Sequence, residues 1–215
     1  MRIGDRANLR LEHPGPFCDH TAVSALHYIL PVLLGLGLSA STGLNTFLPL
    51  LLLSAAARFE VAGITLGAKF DWLTTDAALI TLIVACVIEL IADKIPAVDH
   101  LLDSAGTFVR PIAGALASAS VLTGADPVVA AVAGIIIGAP TSLGVHTLKA
   151  GTRVASSATT FGCANPIISI VEDILSFALS VLAIFAPIFV PVALALLVWV
   201  LWRIMVKLRQ ARVAA

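Results

Sequence analysis

Charge is scarce in this sequence. Charged residues are 12% of 215, about half the roughly 25% of an ordinary soluble domain, which excludes a chain whose whole surface faces water. Cysteine is scarce too: Cys18, Cys86 and Cys163 share no metal or redox spacing, and Cys86 lies mid-run among apolar residues. A disulfide framework is therefore not expected, and a polar tail explains His13, Cys18 and His20 better than a metal site does. Enzyme signatures are missing, with no H-E-x-x-H, G-x-S-x-G or Walker loop. We expect no enzyme, no cofactor and no metal; the one enzymatic alternative is an intramembrane hydrolase pairing Asp99 with Asp103. Thirteen basic residues balance 13 acidic ones, and without a basic soluble surface nucleic-acid binding is not expected.

What is present is apolar. The chain is 59% hydrophobic with a mean hydropathy of +1.03, and the windows around 76–91, 128–144 and 174–201 approach or exceed the ~20 apolar residues that cross a bilayer core. This is the composition of an all-α, polytopic transmembrane helical bundle, with about six crossings. The first twenty residues carry Arg2, Arg6, Arg10, Asp5 and Glu12 with no cleavage site behind a short apolar core, so no signal peptide is expected. Arg203, Lys207, Arg209 and Arg212 follow the last apolar segment beside Trp199 and Trp202, which puts the C-terminus in the cytoplasm. The arginines at 2, 6 and 10 place the N-terminus there as well, in the inner membrane of a bacterium. The expected organisation is a polar tail 1–20, one membrane domain 21–205 with halves 21–124 and 125–205, and a basic tail 206–215.

Along the membrane domain, the apolar segment 22–57 is too long for one straight crossing and holds Pro31, Pro49 and the small polar run GLSASTGLNTF at 37–47, so it is expected to be a broken helix or hairpin. An interfacial loop at 58–75 precedes a helix at 76–93. In 93–111, Asp99, Asp103, Gly106 and Arg110 share one helical face while Val98, Leu102, Ala105 and Val109 share another, the pattern of an amphipathic helix. It either lies on the membrane surface or folds into the bundle. GADP at 124–127 reads as a turn, 128–147 as the next crossing and 141–165 as a polar run; two apolar segments divided near Pro187 and Pro191 follow.

An internal repeat links the halves. GLSASTGLNTF at 37–47 and GAPTSLGVHTL at 138–148 both read G-x-x-x-S-x-G-x-x-T, laying Asn45 over His146, and IPAVDHLLDS at 95–104 resembles ISIVEDILS at 168–176. Interrupted apolar segments at matching places in two halves point to a binding site at the midplane of a transporter. On that reading Ser41, Gly43, Asn45, Thr46, Ser142, Gly144, His146, Thr147 and Arg110 bind the solute. The alternative is that the glycines only let helices approach closely.

Ionisable residues inside a membrane cost about 2.5–3.5 kcal/mol each on insertion scales and are functional suspects. Glu89, Asp93, Asp99, Asp103, Glu172 and Asp173 are the candidate proton- or cation-coupling groups. For Asp93 and Lys94 the plainer reading is a helix end at the headgroups with Lys94 paired to an acid. His146, Lys149 and Arg153 recur at helical spacing; they either hold an anionic headgroup or phosphate or mark a cytoplasmic helix end.

GLSASTGLNTFLPLLLLSAAARF (37–59) followed by ELIADKIPAVDHLLDSAGTFVRPIAGALASAS (89–120) resembles a bacterial family of small membrane proteins catalogued as a domain of unknown function, four-one-two-six; G-L-N-T-F-L-P at 43–49 and A-D-K-I-P-x-V-D at 92–99 carry the likeness. The resemblance implies a membrane location and no particular chemistry. FVRPIAGA is also similar to segments of the DedA-type lipid-carrier translocases, which implies a phospholipid-like substrate. The expected function is a small transporter for a small solute or lipid headgroup, with an anionic one favoured, coupled to protons. The alternative is a non-transporting scaffold, assembly factor or small subunit. Expected partners are membrane lipids, that solute or headgroup, and a second copy or another membrane protein.

Overall fold

The computed structural model describes residues 20–160 and 163–214, with side chains described at 28–95, 98, 101–158, 163–207 and 210. The polar tail, with His13 and Cys18, and the side chains of His20, Asp99, Arg209 and Arg212 lie outside the described residues. Every regular element described is helical: α1 His20–Leu44, α2 Phe47–Arg58, α3 Asp76–Ala92, α4 Pro96–Val121, α5 Pro127–Ala133, α6 Ala139–Thr160, α7 Asn165–Phe185 and α8 Val190–Ala214.

Local chemistry sets the boundaries. The Thr75 hydroxyl accepts from the Ala78 amide and starts α3, and Asp126 accepts from the Val128 amide just before Pro127 opens α5. Pro96 opens α4 and Pro166 stands in the first turn of α7, whereas Pro187, which has no amide hydrogen, lies just past the end of α7. The expected loop at 58–75 holds two short 3-10 turns, and the second, Ala68–Thr74, meets α3 at 65°.

α1 runs through the middle, packed against α4, α6 and α7. Its face is built of small residues because neighbours press on it: a Cβ at Gly37 would lie 2.7 Å from Ala183 Cβ and 2.9 Å from Val190 Cγ2. The hydroxyls on this face bond within the protein, Ser39 Oγ donating to the Gly114 carbonyl at 2.7 Å and Ser41 Oγ to the Gly37 carbonyl at 2.9 Å. Leu38, Leu50, Leu53, Ala117 and Val190 form one apolar core, and Ala40, Leu44, Val145, Leu179 and Leu197 a second.

The outward faces are apolar: Ile80, Val84, Val87, Ile88 and Ile91 on α3, Ile135 and Ile136 between α5 and α6, and Val192 and Leu196 on α8 are all exposed. Side chains of this kind over successive helices suit a lipid surround. Among the described residues three helices, Pro127–Ala158, Asn165–Phe185 and Pro187–Lys207, are long and apolar enough to cross a membrane, or four spans if the bent pair at Ala68–Ala92 is one. Tyr28–Leu44 of α1 and Phe47–Arg58 of α2 are shorter apolar helices, and α4 carries Asp103 and Arg110.

The two repeat copies differ in form. The first breaks at Asn45 and Thr46 between α1 and α2, as expected. The second does not break: 139–160 is continuous helix, entered through a single wide π turn at Gly134–Gly138. The run at 141–165, read as polar connection, is therefore mostly α6. At Gly138 a Cβ would collide with the Gly114 carbonyl, so these glycines serve a close α4 crossing and leave the helix intact.

Candidate functional site

The break at Asn45 and Thr46 exposes backbone groups that have no helical partner: carbonyls ending α1 and amides beginning α2. Charged side chains from other helices take both sets. Glu89 of α3, 5% exposed, accepts from the Thr46 amide at 2.9 Å, the Phe47 amide at 3.0 Å and the Thr46 hydroxyl at 2.8 Å. On the other side Arg110 of α4 donates to the Gly43 carbonyl at 3.1 Å, and Lys149 of α6 to the Leu44 carbonyl at 2.6 Å. An anion thus stands at a helix N-terminus and two cations at a helix C-terminus, the signs that the aligned peptide dipoles favour. Asn45 completes the junction, its Oδ1 accepting from the Leu48 amide and its Nδ2 donating to Asp173 Oδ1 at 3.1 Å.

From this junction an ion-pair network spreads through four helices. Arg110 reaches Glu89 at 3.7 Å and Asp103 at 4.0 Å. Arg153 reaches Glu172 at 2.7 Å, Asp103 at 3.6 Å and Asp93 at 3.7 Å, and Lys149 reaches Glu172 at 3.3 Å and Asp93 at 3.5 Å. Nearer the outside, Lys94 pairs with Asp173 at 2.6 Å and bonds Ser169 at 2.8 Å. Arg110 and Lys149 are 1% and 0% exposed, so their charges depend on these partners. Removing one partner of such a pair leaves an uncompensated buried charge, at a cost of about 3–5 kcal/mol.

His146 is held by the same arginine. Arg110 Nη1 lies 2.7 Å from His146 Nδ1, and because a guanidinium only donates, Nδ1 accepts. The ring proton is then on Nε2, which faces the Thr107 hydroxyl at 3.3 Å.

Most of the expected site residues therefore converge. Glu89, Asp93, Asp103, Glu172 and Asp173 are in the network, with Arg110 and His146, and Asn45 and Thr46 are at the junction. Ser142 donates to the Arg110 carbonyl at 2.8 Å and takes a bond from Thr42 at 3.0 Å, so the two repeat copies touch. Ser41 and Gly43 act through backbone: the Ser41 carbonyl accepts from Ser176, and Gly43 packs on α6. Asp99 lies on α4, its side chain outside the described residues.

Two expected binding residues do not join. Gly144 is exposed with nothing within 4 Å of a Cβ placed there, and exposed Thr147 bonds only the Gly144 carbonyl of its own helix. α6 turns Ser142, Val145, His146 and Lys149 inward, and 144 and 147 fall on its other face. Lys94 is paired to an acid as expected, and that acid is Asp173. Asp93 is not at an open helix end but buried, and Lys149 and Arg153 are buried beside carboxylates. The signal for those two was their spacing from His146, which puts all three on one helical face.

The fold and this interior define a helical membrane protein with a charged core. Residues 32–207 match the model of DUF4126, a domain of unknown function, and the chain belongs to that family. No curated protein and no solved structure shows a match.

Proposed function

We propose that the protein is a small inner-membrane transporter of bacterial type, with about six crossings and both termini in the cytoplasm, that moves a small solute or lipid headgroup in exchange for or together with protons. The observation that carries this reading is the helix break inside an apolar bundle, held by buried charges of both signs. A membrane protein with no polar cargo has little use for so many buried ions, each of which is costly, whereas interrupted helices beside charged groups are the way transporters bind solutes. The likeness of 37–47 to 138–148 then marks two related halves whose motifs meet at Thr42 and Ser142. An anionic solute would be held by Lys149 and Arg153 in place of Glu172, the closer of the two carboxylates that both cations share.

One observation favours a second reading, a non-transporting scaffold. Gly43 is closed off by α6 backbone, and a cavity of about 590 Å³ is lined by residues such as Tyr28, Ile64, Val121 and Phe185 and reaches neither Asn45 nor His146. Native mass spectrometry of the gently extracted protein beside the Asn45→Ala/His146→Ala variant separates the two. A small molecule or lipid that co-purifies with the wild type and is lost from the variant is the result expected of the transporter. An adduct-free protein that retains a stoichiometric protein partner would overturn it in favour of the scaffold.

A further inference from the structure

We propose that Asp93 is a proton-binding site, holding one exchangeable proton inside the bundle. The balance of charge comes first. Glu89 is occupied by the α2 amides, the Thr46 hydroxyl and Arg110, and Asp173 by Lys94 and Asn45. Among the described side chains this leaves three carboxylates, Asp93, Asp103 and Glu172, facing two cations, Lys149 and Arg153. One negative charge is in excess, and a buried group in that position is neutralised rather than left charged.

Geometry selects the residue. Glu172 takes the short contacts, 2.7 Å to Arg153 and 3.3 Å to Lys149. Asp103, 16% exposed at its side chain, lies between Arg110 and Arg153 and has one oxygen, Oδ1, buried without a hydrogen bond. Asp93 is 1% exposed at its side chain, its cations stand at 3.5 and 3.7 Å, and neither of its oxygens has a hydrogen bond. The same cluster holds a second open acceptor: Glu172 Oε1 is also buried without a hydrogen bond, and both carboxylates contact Lys149 Nζ and Arg153 Nη2. A proton suits the place better than a metal ion, since no three potential ligands converge on a metal position among the described residues.

The step is a proton arriving from water at a carboxylate oxygen, with no other bond made or broken. Its consequence for α3 follows from where Asp93 sits, at the C-terminal end of that helix. With Asp93 neutral, Lys149 and Arg153 are left to Glu172 and Asp103, and the two ionic ties from Asp93 to α6 are lost. That this motion drives transport rests on the proposed function; the proton site does not.

Infrared difference spectra of the full chain in lipid nanodiscs, taken across acid and alkaline pH, test the site directly. We expect one protonated-carboxyl band that disappears as pH rises, shifts on ¹³C-aspartate labelling, is absent from Asp93→Asn and keeps its sensitivity to labelled aspartate in Asp103→Glu, which conserves the charge of the neighbouring carboxylate. Should Asp93→Asn fail to fold, Asp93→Glu serves: the band stays but loses its sensitivity to labelled aspartate. No band at any pH, a band that ignores aspartate labelling in the wild type, one that survives in Asp93→Asn, or one that follows sodium instead of pH would each overturn the inference. A proton bound as described in a protein that moves no solute in liposomes would overturn the transporter alone.

Discussion

The two motif glycines, aligned by sequence, should respond to the same substitution with opposite sign. A Cβ at Gly43 would lie 2.5 Å from the Ser142 carbonyl oxygen, 2.7 Å from Val145 Cβ and 3.1 Å from the His146 nitrogen, and a Cβ at Gly144 meets nothing within 4 Å. Two of the three contacts at Gly43 are backbone, which cannot rotate away, so α1 and α6 must separate. Forcing a methyl group into a packed interior costs about 1–3 kcal/mol, while any helical Gly→Ala change returns about 0.5–1 kcal/mol of backbone entropy. Gly43→Ala should then lose about 1–2 kcal/mol, and Gly144→Ala gain up to about 1. A gap of about 2 kcal/mol is roughly a thirtyfold difference in the folding equilibrium. Unfolding of the two variants in mixed micelles by a denaturing detergent, followed by tryptophan fluorescence, measures it. Gly43→Ala as stable as Gly144→Ala would refute the packing argument.

The charges give three further tests. Glu89→Gln, which strips the ion from the start of α2 and from Arg110, should cost about 3 kcal/mol in the same assay, whereas Lys94→Met at the half-exposed pair should cost about 1 or less. Arg110→Lys should not substitute: one ammonium cannot span the Gly43 carbonyl, His146 and Glu89 as the guanidinium does, and a loss of about 1.5–3 kcal/mol is expected. Nitrogen NMR of labelled histidine should show His146 protonated at Nε2 with Nδ1 accepting, and the opposite tautomer would mean that Arg110 is not its partner.

The parts of this structure legible in the sequence were those written in local pattern. Pro96, Pro187, the GADP turn and the interrupted run at 37–47 marked helix ends, because a missing amide or a flexible backbone acts where it stands, whereas Pro31 and Pro111 lie inside α1 and α4. The membrane class followed from composition alone. Which acid meets which base was not legible: Lys94 passes over Asp93 next door for Asp173, which is 79 residues away. Such pairings depend on helix rotation and crossing, and those are set by packing across the whole bundle. The motif alignment misled at Gly144 and Thr147 for a related reason, since equal spacing in two helices does not make them turn equal faces inward.

α3 also imposes an order on biosynthesis. Glu89 finds Thr46 and Phe47 already made, but Asp93 and Lys94 at the end of α3 have partners that come later in the chain, Lys149 and Arg153, and finally Asp173. While the ribosome is still making α6 and α7, those two charges have little to answer them, each at a cost of a few kcal/mol in lipid. The nascent chain must therefore be sheltered at the insertion machinery, or held at the aqueous edge, until α7 emerges. A chain cut short before Asn165 would lack Glu172 and Asp173 and leave Lys94, Lys149 and Arg153 under-compensated, a feature by which membrane quality control can recognise an unfinished copy.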